Sequence, residues 1–177
     1  LSAHYGCWEI IPAVLALYGI PTHVIVQKPS VPTFDQLFTE FRSQVKVQTH
    51  YNSGIMELRP ILRALERGEV VGMVADQHGE SEQIIGQFFD HTVSLPTGPP
   101  FVARHCHSPI VPVFVRQLED KRHLLTFYPP LEVSPHLPEK EQTLMQSFYD
   151  LLESVIREHP EDWLWSYNRW DKYKPSI

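Results

Sequence analysis

Apolar and polar positions along this chain alternate between two periods, and the alternation predicts helices interleaved with strands. Ile10-Ile11-Pro12-Ala13-Val14-Leu15-Ala16-Leu17-Tyr18 is an apolar run stopped by Gly19. Proline fits the first turn of a helix, where its missing N–H would have been unpaired, and glycine suits the C-terminal stop. Residues 21–26 are β-branched and read as a strand; residues 34–42 read as a helix and 45–47 as another short strand. Residues 57–67 carry Leu58, Ile61, Leu62 and Leu65 at helical spacing and close at Gly68. Residues 70–75 form a continuous apolar run, as in a strand buried on both faces, with Asp76-Gln77-His78 at its C-terminal end. Open α/β sheets bind ligands at such strand ends.

The second half repeats the pattern. Residues 80–87 read as a loop, 98–105 as a helix, 110–116 and 123–128 as strands. Residues 143–159 form a long amphipathic helix with Leu144, Phe148, Leu151, Leu152 and Val155 on one face, and a tryptophan-rich tail follows. The chain has sixteen prolines, most of them punctuating element ends. The expected fold is therefore α/β, a mixed and mostly parallel sheet flanked by helices, in a single domain over residues 1–177. Leu1-Ser2-Ala3 reads as the last residues of a strand, so a first strand, and any membrane anchor, is expected to precede it.

Composition narrows the classes. A 177-residue chain with 42% hydrophobic residues suits one domain with a sizeable core and is not that of a disordered segment. A net charge of −6 argues against a general nucleic-acid surface but allows a local basic pocket. Two cysteines, Cys7 and Cys106, make no disulfide framework and suit a reducing compartment. No apolar run reaches the ~18–20 residues that span a bilayer.

Candidate chemistry starts at His4-Tyr5-Gly6-Cys7-Trp8-Glu9. Imidazole changes charge near neutral pH and can take a proton from a hydroxyl; a nearby carboxylate can fix its tautomer and stabilise the imidazolium. Gly6 permits a sharp turn that folds His4 back towards Glu9 at the mouth of the first helix. The hexapeptide alone fits a solvated loop histidine before a helix-start glutamate better than a catalytic pair. Cys7 beside His4 offers a thiol nucleophile as an alternative. His105-Cys106-His107 with Asp76-Gln77-His78 could suggest zinc, but lacks paired-ligand spacing, so no metal is expected.

The order of these features resembles the bacterial lipid A biosynthesis acyltransferases, the lauroyl/myristoyl family within the lysophospholipid acyltransferase superfamily, whose mark is H-x-x-x-x-D/E. His4 to Glu9 is similar to H-x-G-N-W-E. Residues 29–35 with Arg42 resemble its proline-punctuated segment ending in an aspartate and an arginine. Leu65-Glu66-Arg67-Gly68-Glu69-Val70-Val71 and Ala75-Asp76-Gln77 resemble its helix–glycine–strand–Asp-Gln passage. Phe88-Phe89, Pro96-Thr97-Gly98-Pro99 and residues 109–116 follow in order, and residues 159–165 with Asn168-Arg169-Trp170 resemble its P-E-x-W-x-W…R-W close. Cys7 stands where the family often has Asn, and Lys28 where it often has Arg; the family's N-terminal anchoring helix is not in this sequence.

The resemblance implies direct acyl transfer at the cytoplasmic face of a bacterial inner membrane. His4 would be general base and Glu9 its orienting acid. The donor would be an acyl carrier protein or coenzyme A thioester, with no further cofactor, and the acceptor a hydroxyl of a lipid A precursor or related membrane glycolipid. It would contact the membrane peripherally or through an anchor and bind no nucleic acid. Arg42 falls where the family's arginine does, for an oxyanion or a phosphate. Asp76 would hold Arg42 or the donor. Arg116 and Arg169 are further candidates for the carrier or the acceptor phosphate, though both also fit structural arginines. Trp163 and Trp165 suit either an acyl-chain wall or plain core. Another glycolipid or aminolipid acceptor, or a lipid-binding pseudoenzyme of the same fold, is the alternative.

Overall fold

The computed structural model describes residues 1–52, 54–78, 84–131 and 139–170. The chain divides into two compact units, Glu9–Val74 and a second built from Leu1–Trp8 with Ala75–Ile177.

The Glu9–Val74 unit holds α1 (Ile10–Leu17), β1 (Thr22–Val26), α2 (Pro32–Gln44), β2 (Gln48–Tyr51), α3 (Ile55–Glu66) and β3 (Val70–Gly72). Its three strands run in the order β2-β1-β3, all parallel, with Val24 opposite Thr49 on one side and Gly72 on the other. Each crossover carries a helix, as parallel pairing requires. Among the described side chains of α3 the fully buried ones are Ile61 and Ala64; Leu58, Leu62 and Leu65 are only partly covered. Residues 45–47, expected as a strand, are instead the exit of α2, where Lys46 turns at φ 62°. The strand begins at Gln48, three residues after the expected start, and is polar (Gln48-Thr49-His50-Tyr51), which hid it from a hydrophobicity pattern. β3 is only half-buried rather than covered on both faces.

The other unit holds β4 (Ile85–Phe88), β5 (His91–Ser94), α4 (Gly98–Cys106), β6 (Val113–Gln117), β7 (His123–Phe127), α5 (Glu139–Glu158) and a 3₁₀ turn at Pro160–Asp162. The expected mostly parallel sheet is seen only in part: β4–β5 and β6–β7 are both antiparallel hairpins, and among the named strands of the described residues it is β2-β1-β3 that pair in parallel. The reason is local. Phe89 and Asp90 both take positive φ and close a two-residue hairpin loop, and Lys121 turns the second hairpin at φ 69°. The expected loop over residues 80–87 accordingly gives way to β4 from Ile85; residues 79–83 lie outside the described residues. Leu1 is nonetheless strand-like, exchanging backbone hydrogen bonds with Val111 and Val113, while Ala75 N–H donates to the Ser2 carbonyl at 2.9 Å.

The core of this unit forms under α5. Met145, Phe148, Tyr149, Leu152 and Ile156 recur at three- and four-residue spacing and are essentially inaccessible, packed with Ala3, Tyr5, Ala75, Phe88, Leu95, Phe114 and Trp163. Each large side chain so buried contributes about 1.5–3 kcal/mol. Phe88 is the hub, with its ring edge-on to Tyr149 and Trp163 and stacked on Trp170. Among the described residues, no helix is long and apolar enough to cross a membrane.

Candidate active site

The core positions an imidazole. His4 follows the strand-like residues Leu1–Ala3, and its backbone is fastened to the turn after α5. Leu164 N–H donates to the His4 carbonyl at 3.0 Å, Gly6 N–H donates to the Asp162 carbonyl at 2.8 Å, and Tyr5 bridges Trp163. Gly6 has φ +55°, and a Cβ added there would collide with the Val115 carbonyl oxygen. Glycine is thus required twice, by backbone conformation and by close approach. Gly6→Ala is expected to destabilise the protein by about 2–4 kcal/mol from left-handed strain and overpacking, a drop of about 5–15 °C in Tm. Thermal unfolding followed by circular dichroism checks this, and an unchanged Tm would contradict the packing described.

His4 Nδ1–H donates to Asp76 Oδ1 at 2.7 Å, and Trp163 Nε1–H donates to Asp76 Oδ2 at 2.9 Å. Asp76 is 3% exposed and His4 22% exposed. A carboxylate only accepts, so its partner nitrogen must carry the proton; neutral His4 is the Nδ1–H tautomer, with the lone pair on Nε2. The ring edge of Trp8 rests 4.9 Å from the His4 ring centre. The arrangement is a base whose orientation and tautomer are both fixed, with its acid buried and accepting two hydrogen bonds.

Asp76 is held in turn through the neighbours in the segment that carries it. Tyr149 Oη–H donates to the Ala75 carbonyl at 2.9 Å, and Tyr167 Oη accepts from His78 N–H at 3.2 Å. Burial pushes the Tyr149 hydroxyl far above its ordinary range, so it remains a donor throughout working pH. Arg169 is completely buried. Its Nη2 donates to the Ser94 carbonyl at 2.6 Å and to Tyr149 Oη at 3.0 Å, and its Nη1 donates to His78 Nδ1 at 3.2 Å. Trp163→Phe keeps an aromatic side chain in the core but removes the indole N–H together with the bulk of the second ring. It leaves one buried carboxylate oxygen without that donor, at about 1–3 kcal/mol. A Tm lowered by about 2–10 °C is the expected result, and one equal to wild type would remove Trp163 from the Asp76 clamp.

The other residues singled out from sequence fall as follows. Glu9 is the residue before α1, and its carboxylate is gripped by the Arg42 guanidinium from α2, with Nη2 to Oε1 at 2.5 Å and Nε to Oε2 at 3.1 Å. Glu9 and Arg42 thus come together as a bidentate pair. The acid hydrogen-bonded to His4 is Asp76. Arg116, on β6, donates from Nη1 to His159 Nε2 at 2.5 Å. Cys7 is exposed. Trp163 is core, whereas Trp165 is half exposed and packs edge-on against it at 4.7 Å. The residue that sequence reasoning missed is Trp163 as a hydrogen-bond donor; its place in a P-E-x-W segment near a buried acid was the available signal.

No curated protein matches the chain. Residues 1–172 match the family model of bacterial lipid A biosynthesis acyltransferases, so with nearly its whole length covered, the chain belongs to the bacterial lipid A biosynthesis acyltransferase family.

Proposed function

We propose that this protein transfers a fatty acyl group from an acyl carrier protein or coenzyme A thioester to a hydroxyl of a lipid A precursor or related glycolipid, with His4 as general base aligned by Asp76. The observation that carries the reading is the Nδ1–H···Oδ1 contact at 2.7 Å, which leaves the Nε2 lone pair for the acceptor. The hydroxyl proton passes to Nε2 as the oxygen attacks the thioester carbonyl carbon. Asp76 stabilises the imidazolium as it forms. The tetrahedral adduct collapses, the C–S bond breaks, and the departing thiolate regains its proton from His4. No acyl-enzyme is needed, and no role is assigned to Cys7.

Glu9 and Arg42 are assigned to holding the start of α1 against α2, and Arg169, through Tyr149 and His78, to holding the segment that bears Asp76. Both assignments replace substrate contact with positioning, because these guanidinium groups already have acceptors. The site is assigned to the cytoplasmic face of the bacterial inner membrane. α2 supports peripheral contact there. Phe34, Leu37, Phe38 and Phe41 lie on one helical stripe and are all exposed, as on a helix lying in a lipid interface.

The test is to incubate the purified protein with labelled acyl carrier protein or coenzyme A thioesters and a lipid A precursor. Acylated lipid is the expected product. Thioester hydrolysis alone, or lipid binding without product, would contradict transfer. Full loss of activity in Cys7→Ala would move the chemistry to a covalent route.

A further inference from the structure

A second polar centre lies wholly within the Glu9–Val74 unit and takes no part in the proposed chemistry. A cavity of about 390 Å³ is lined by His23, Gln48, His50, Arg59, Arg63 and Arg67, with Pro60 between the arginines. Arg59, Arg63 and Arg67 recur every four residues, so they share one stripe along α3 and its C-terminal cap. Like charges at this spacing repel by about 0.2–0.5 kcal/mol per pair. The helix dipole favours Arg63 and Arg67 near the C-terminus but gives no reason for Arg59, more than a turn upstream. Among the described residues, no carboxylate forms an ion pair with Arg59 or Arg63; Arg67 alone is neutralised, by Glu69 at 2.7 Å.

Behind the arginines the cavity wall is built rather than incidental. Glu69 Oε2 accepts from Nε2–H of buried His23 at 2.7 Å, and His23 Nδ1 meets His50 Nε2 at 2.9 Å with the two rings stacked. The Arg67 and His23 hydrogen bonds hold the Glu69 carboxyl down to about 2, so it is ionised at any working pH. Its carboxylate is taken up by Arg67 and His23, so among the described residues Arg59 and Arg63 are two cations without an ion-pair partner facing one space.

We propose that this cavity is a phosphate-binding site, distinct from the His4–Asp76 centre, in which the planar forks of Arg59 and Arg63 take the oxygens of a phosphate monoester beside His50. Two guanidinium groups match the charge of a phosphate dianion, and their fork geometry matches its oxygens. The volume leaves room for a small organic group on the phosphate. A soluble phosphorylated molecule and a lipid headgroup present the same chemistry to the site.

Two probes separate these sources. Glycerol 3-phosphate is titrated calorimetrically into the full chain, and co-sedimentation is measured with phosphatidylcholine vesicles with and without phosphatidate. Arg59→Gln/Arg63→Gln removes both charges at exposed positions, and its circular dichroism spectrum is expected to match wild type. Saturable binding of glycerol 3-phosphate, weakened at least tenfold in the double variant, supports the site and assigns it to a soluble phosphate. Binding seen only with phosphatidate vesicles and lost in the double variant supports it as a headgroup site. Binding of neither probe to wild type, or binding retained by the double variant, overturns the proposal.

Discussion

His4→Ala is expected to lower acyl transfer by about 10²–10⁴-fold, the range that a positioned general base supplies. The effect belongs in kcat, since the imidazole acts on the proton of the attacking hydroxyl and not on the lipid anchor of the acceptor. The substitution also removes one of the two donors to buried Asp76. A stability loss of about 1–3 kcal/mol is therefore expected alongside, and activity must be measured well below the variant's Tm. His4→Gln is the companion variant. Its amide can donate to Asp76 but cannot serve as base, so it should recover stability without recovering rate. Single-turnover assays with labelled acyl carrier protein thioester check both; near-wild-type rates in either variant would give the proton to another group.

Asp76→Asn is the second large effect. The amide is close to isosteric and still offers one oxygen to Trp163 Nε1–H, but its NH₂ group can donate to His4 Nδ1. That favours the opposite tautomer, with Nε2 protonated and unable to accept from the substrate. A rate loss of about 10²–10⁴-fold is expected with little loss of folding, because aligning the base and stabilising its charged form act in the same step. Glu9→Gln provides the contrast. It weakens the bidentate grip of Arg42 and so acts on the start of α1. It should cost stability, with a rate loss at least tenfold smaller than that of Asp76→Asn. If the two variants are equally slow, the orienting role is shared and the assignment to Asp76 alone fails.

Much of the fold was legible, for reasons that lie in particular residues. The α1 run ended at a glycine, α5 spaced its large apolar groups at three and four, and β1 was a short β-branched segment between prolines and glycine; each element announced itself locally. β2 did not, because Gln48-Thr49-His50-Tyr51 pairs through its backbone while carrying polar side chains. β4 was missed because its turn uses Phe89 and Asp90 in the left-handed region, where a hairpin signal usually requires glycine or asparagine.

The candidate site divides the same way. His4 and the turn at Gly6 were visible as a motif, and Asp76 as an acid at a strand end. Their pairing spans 72 residues of sequence and depends on Ala75 lying beside Ser2, a tertiary fact that no spacing rule contains. Proximity in sequence pointed to Glu9, whose own partner, Arg42, is also non-local, 33 residues away. The bulk of the tryptophan tail was also plain, but whether an indole N–H meets water or a carboxylate depends on which core it enters. Trp163 enters the one beneath Asp76.

The account rests on the protonation geometry of a single ring, and ¹⁵N nuclear magnetic resonance of histidine-labelled protein observes it without substrate. In its neutral form the His4 ring of wild type is expected to show a protonated Nδ1 and a bare Nε2, with the preference reversed or lost in Asp76→Asn. A His4 ring protonated on Nε2 in wild type, or one indifferent to Asp76→Asn, would contradict the claim that Asp76 sets the base.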